Sequence, residues 1–171
     1  YWLQLSHMYG EKNDTARQTA LMETAYVQGM LDAGTEFVTM AYLFLNSEVP
    51  YKAGKTIQDG LDKKKVEENS RNYEILGNAW RQAQEIDRSI PAMETAAAKS
   101  DSGELYARLG NVYLDADNFE KAIESINRGL ARGGVSRTDQ AHLALGMAFF
   151  NLQKYEDARK AFNEAAKDKR S

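Results

Sequence analysis

The chain has 171 residues, of which 43% are hydrophobic and 27% charged, with 22 Lys and Arg against 25 Asp and Glu. A net charge of −3 offers no overall attraction for nucleic acid or anionic lipid. There is no cysteine, which excludes disulfides, zinc–thiolate sites and thiol catalysis.

The longest apolar runs fall far short of the roughly 20 residues that span a bilayer. Two prolines and few β-branched runs favour an all-α chain. Apolar residues recurring at helical spacing predict ten helices, over about 1–11, 14–32, 35–46, 50–65, 69–83, 86–99, 103–116, 119–132, 138–152 and 155–168. Asn13-Asp14, Asp101-Ser102 and Asp117-Asn118 supply side-chain acceptors for the free N–H groups of helix starts. Pro50 suits a first helical turn. Pro91 lies several residues into its helix and is expected to delay the start or kink it. Tyr1 begins inside a helical pattern, so the chain reads as a C-terminal fragment of a longer one or a processed product. The last helix carries Arg159, Lys160, Asn163, Glu164 and Lys167 on its outer face, as a polar cap would, which places Ser171 near a natural end.

The stretch Glu104 to Leu130 sets the pattern. Tyr106, Leu109, Gly110 and Tyr113 share one helical face, and Phe119, Ala122, Ile123, Ile126 and Leu130 share another. Gly110 is expected to face Ala122, letting the two backbones approach. The same spacing recurs along the chain. Small anchors stand at Ser6, Ala41, Gly77, Gly110 and Gly146, separated by 35, 36, 33 and 36 residues. Three positions after each stands an aromatic residue: Tyr9, Phe44, Trp80, Tyr113 and Phe149. Nineteen after each stands a small one: Ala25, Gly60, Ala96, Gly129 and Ala165. The hairpins occupy about 1–32, 34–66, 69–100, 103–134 and 138–169.

This pattern resembles the tetratricopeptide repeat, a helix–turn–helix unit of 34 residues with W-x2-L-G-x2-Y followed by A-x3-F. The resemblance is strongest in the last two units and weakest in the first, where Ser6 and Gln18 replace the small pair. It implies one domain over 1–171, an all-α solenoid of five repeats coiled into a right-handed superhelix. The first helix of each pair would then line a concave groove.

Catalytic chemistry finds no footing. His142 holds an aromatic position and reads as a packing residue, and His7 has no partner at metal-ligand spacing. Asp115, Asp117 and Glu120 fail as a calcium loop, because Phe119 holds the fifth position, Glu120 replaces the sixth-position Gly and Ile126 the twelfth-position Glu. No phosphate-binding or nucleophile-elbow motif appears. The expectation is therefore no enzyme, no metal, no cofactor and no nucleic-acid partner. The run Asp62-Lys63-Lys64-Lys65-Val66-Glu67-Glu68 reads as a solvated, self-compensating cluster.

What remains is surface. The family's groove positions fall here on Tyr42 and Asn46, on Asn78 and Arg81, on Ala107, Arg108 and Asn111, and on Leu143, Met147 and Phe150. Tyr42, Asn46, Asn78, Arg81, Arg108, Asn111, Met147 and Phe150 are the candidate peptide-binding residues. Asn78, Arg81, Arg108 and Asn111 suit a peptide backbone or a carboxylate. Glu74 and Ala107 stand where the chaperone-binding subclass needs a lysine, which argues against that subclass. More narrowly, YWLQLSHMYGE, AYLFLNSEVPYKAGKTIQDGL and NYEILGNAW resemble the tetratricopeptide proteins encoded with TonB–ExbB–ExbD systems of Gram-negative bacteria. That resemblance implies a periplasmic scaffold with TonB-system partners in iron uptake. The alternatives are a self-assembly module and a regulatory domain of a larger protein.

Overall fold

The structure is a computed structural model and describes residues 1–167. The reading of Ser171 as close to a natural end lies outside the described residues, as does the last residue of the helix expected to reach 168. Ten helices and no strand occur among the described residues. They are α1 (Trp2–Glu11), α2 (Thr15–Val27), α3 (Gly34–Asn46), α4 (Pro50–Asp62), α5 (Ser70–Gln82), α6 (Ile86–Ala98), α7 (Glu104–Asp115), α8 (Phe119–Arg132), α9 (Thr138–Asn151) and α10 (Tyr155–Ala165). The chain divides into two compact units, Tyr1–Gln84 with α1 to α5 and Glu85–Ser171 with α6 to α10.

In the first unit α1 packs on α2, α3 on α4, and α4 on α5. The weak first hairpin closes on a hydrogen bond. The buried Ser6 hydroxyl donates to the Gln18 carbonyl at 3.1 Å, so the polar anchor is satisfied where a small pair was expected. Helix α2 ends at Val27 rather than running to 32, because Gly29 turns left-handed at φ 69° and Leu31 leaves the helix to be buried. Gly54 makes room for a neighbour: a Cβ there would lie 2.7 Å from Trp80 Cδ2. The indole of Trp80, contributed by α5, thus seats on α4, edge-on to Tyr51 at 5.5 Å.

In the second unit α7 packs on α6 and α8, and α9 on α8, α10 and α7. Gly110 is buried under Ile126. A Cβ at Gly110 would lie 2.3 Å from Ile126 Cγ1 and 3.2 Å from the Ala122 carbonyl oxygen. The close approach expected between Gly110 and Ala122 is real, and the side chain that requires it is Ile126. Ala107 is buried with Ala141, Ala144, Leu145 and Ala161. It is core between two hairpins rather than a groove residue. Helix α6 starts at Ile86 and contains Pro91, so the proline does not delay the start.

Each turn between the helices of a hairpin is built alike. Asn13, Glu48, Gln84, Asp117 and Gln153 all have positive φ, between 53° and 62°. The next residue's N–H, at Asp14, Val49, Asn118 and Lys154, donates back to the carbonyl of Tyr9, Phe44, Tyr113 and Phe149. This is a six-to-one closure of the helix end, and the donor then serves as the N-cap of the following helix. Asp14 and Asn118 also cap with their side chains, accepting from the N–H of Arg17 and Lys121. The expected acceptors Asn13 and Asp117 instead supply the left-handed backbone.

The loops that join successive hairpins are stitched to one another in the second unit. Gly103 N–H donates to the Gly133 carbonyl at 2.8 Å, and the Ser102 hydroxyl to the Gly134 carbonyl at 3.2 Å. Glu104 accepts from both the backbone N–H and the hydroxyl of Ser136. A Cβ at Gly103 would lie 2.0 Å from the Gly129 carbonyl oxygen, so glycine is required at this crossing.

Candidate functional site

The candidate residues lie on the first helices of the hairpins, and each unit presents its own share. In the first unit Tyr42 and Asn46 are one helical turn apart on α3, and both are exposed. Asn78 and Arg81 lie on α5 and are half-buried. Tyr42 borders an open cavity of about 580 Å³ with Val38, Thr35 and Thr39 of α3 and Asn69, Arg71 and Asn72 at the start of α5. Asn69 caps α5 through the Asn72 N–H at 2.9 Å, which fixes that rim. The rim residues Thr35, Arg71 and Asn72 were not among the candidates. They stand at helix starts, where repeat spacing marks no groove position.

In the second unit Arg108 and Asn111 lie on α7, and Met147 and Phe150 on α9. Arg108 Nε donates to Glu104 Oε1 at 3.1 Å, and Glu104 Oε2 holds Ser136. Burial raises the Glu104 pKa, but the Ser136 N–H and the Arg108 guanidinium outweigh it, and the carboxyl sits below its usual value. Arg108 is thus steered by a carboxylate that also ties down the loop before α9. Asn111 is half-buried beside it.

The α9 face is apolar and open. Leu143, Met147 and Phe150 follow at i, i+4 and i+7 and are 49%, 49% and 57% exposed. Tyr155, the first residue of α10 and 58% exposed, meets Phe150 edge to face at 5.6 Å. Tyr155 was missing from the candidate set, since it belongs to the second helix of its hairpin. An aromatic residue at a polar helix start was the signal for it. His142, expected as a packing residue, is half-buried, and His7 is exposed 3.5 Å from Glu11. Among the described residues no cluster of His, Asp and Glu is arranged to hold a metal, and no helix is long and apolar enough to cross a membrane.

The tetratricopeptide-repeat family model matches residues 107–171. No curated protein matches the chain. Among solved structures, the crystal structure of MamA is 18% identical with a TM-score of 0.78, covering 94% of this chain and 92% of that one. MamA 41-end from Desulfovibrio magneticus RS-1 is 13% identical with a TM-score of 0.77, covering 96% and 91%. YrrB, a TPR protein described as having an unusual peptide-binding site, is 14% identical with a TM-score of 0.77, covering 96% and 82%. At these identities the likeness is one of fold, and it extends over nearly the whole chain.

Proposed function

We propose that this chain, a tetratricopeptide-repeat protein by its fold, is a non-catalytic scaffold that captures a protein or peptide on the first helices of its hairpins. The apolar row Leu143, Met147 and Phe150 carries this reading. Large apolar side chains left about half exposed lower the solubility of a folded chain, and three on one helix face beside an exposed Tyr155 form a docking strip. Methionine and aromatic side chains adapt to varied partner surfaces. Arg108 and Asn111 on the adjacent α7 supply donors for a partner's backbone or carboxylate.

The test is capture of partners from a bacterial envelope extract by the full chain, compared with Met147→Ser and Phe150→Ser combined. Exposed positions tolerate these changes, so the melting temperature should hold while capture falls. Undiminished capture would refute the docking strip.

A narrower role, as a periplasmic accessory to TonB-dependent iron uptake, is supported by the three sequence stretches within 1–80 that resemble TonB-associated tetratricopeptide proteins. Mixing the chain with purified TonB, ExbB and ExbD tests it directly, and failure to bind any of them removes that role while leaving the scaffold. Self-assembly is favoured by a different observation: Tyr1, Met8, Val27 and Met30 of the first unit are all exposed. Light scattering over a concentration series decides it, since a strict monomer excludes it.

A further inference from the structure

A cavity of about 370 Å³ opens in the second unit between α6, α7 and α8, lined by none of the candidate peptide-binding residues. Its floor is apolar and fixed: Tyr106, Leu109 and Tyr113 of α7 are each at most 6% exposed. Its walls carry four charges, Glu94 from α6 and Lys121, Glu124 and Arg128 from α8.

Among the described residues these four form no ion pair with one another. Lys121 lies over the Tyr113 ring at 5.4 Å and Arg128 over the Tyr106 ring at 4.4 Å. Glu94 accepts the Tyr113 hydroxyl. Yet Lys121 and Glu124 are three residues apart and Glu124 and Arg128 four, the spacings that do pair elsewhere in this unit. Arg108 pairs with Glu104, Arg159 with Glu156, Lys160 with Asp157 and Lys167 with Glu164. On α8 the rings draw the cations aside, and the acids and bases stand separately round one cavity. In the first unit's larger cavity two of the three charged lining residues are engaged: Lys65 pairs with Asp32, and Glu67 holds Asn69.

We propose that this cavity binds a small zwitterion of dipeptide size. Its ammonium group sits between Glu94 and Glu124, its carboxylate meets Arg128, and its side chains lie against Leu109 and Ala98. Size supports a dipeptide. Glu124 and Arg128 are about 6 Å apart along the helix at 1.5 Å per residue, and two extended residues span up to about 7 Å.

NMR titration of the full chain with leucylalanine tests this, with saturation expected at a dissociation constant on the order of 1 mM. Leucylalanine amide, which lacks the carboxylate, should bind about threefold to fivefold more weakly, the effect of one exposed charge contact. The N-acetylated amide, with neither charge, should show no saturation. Arg128→Gln should weaken leucylalanine by the same factor while leaving leucylalanine amide unchanged, and Glu124→Gln should weaken both. Both residues are exposed, so the melting temperature serves as the folding control. The proposal is overturned by no saturation with leucylalanine, by equal binding of the doubly capped form, or by indifference to both substitutions.

Discussion

Asp117 and Gln153 occupy the same place in successive hairpins, 36 residues apart, and both hold a left-handed backbone, at φ 53° and 59°. Asp tolerates this conformation through its short polar side chain, and Gln has no such compensation. The turn imposes it, because only a left-handed residue lets the next N–H close back on the helix.

Gln153→Gly should therefore stabilise the chain. Relief of left-handed strain, less the entropy that glycine loses on folding, leaves about 0.5–1 kcal/mol. For a chain of this length that is a rise of roughly 1–4 °C in melting temperature. A fall on calorimetric melting would show that the Gln153 side chain contributes more than its backbone costs.

Gly110→Ala should destabilise by about 1–3 kcal/mol, the usual range for overpacking a filled core. The added methyl would meet Ile126, which is fully buried and stiff at its branched carbon. Adding Ile126→Ala, which removes Cγ1 itself, should leave the double variant less destabilised than the sum of the two single losses. Additive losses in urea melts of the double variant would place the clash elsewhere.

Stability should depend on Asp139 in acid. This carboxylate, 4% exposed at the start of α9, takes two guanidinium N–H bonds from Arg137 at 2.9 and 2.6 Å. The Arg137 pair, aided by the backbone N–H of Gln140, holds its pKa at about 2 against the ordinary 3.8, despite burial pulling the other way. A folded-state pKa below the unfolded one means the contribution is full above pH 3.8 and lost as pH falls through about 2. Asp139→Asn should melt lower than the parent at pH 7, and the two should converge as the pH approaches 2. A gap that stays constant over that range would contradict the pairing.

Arg108→Ala should separate binding from folding. Its pair with Glu104 is exposed and one helical turn long, worth about 0.3–0.5 kcal/mol. Partner capture should fall while the melting temperature moves by no more than about 2 °C. Arg81→Ala, made separately, reports on the first unit. If neither substitution affects capture, the guanidinium groups take no part in it.

The repeat was legible in the sequence because it is a packing rule. Gly110, Ala122 and Gly129 are small where backbones cross, and Tyr106, Leu109 and Tyr113 are large where space must be filled, so one period of about 35 residues exposes the helices and their order. The exposed row on α9 was legible for the same reason, being what the packing positions leave over. Tertiary structure alone decided the rest. It placed Ala107 in the core, because burial there depends on α9 bringing up Ala141 and Ala144. It tied Arg108 to Glu104, and Glu104 to a loop 32 residues away. It gathered Glu94, Lys121 and Arg128 round one cavity, because charges on two helices share a space only once the helix between them has packed. Sequence spacing records which residues share a face; whether that face is covered, and by what charge, depends on neighbours that only folding supplies.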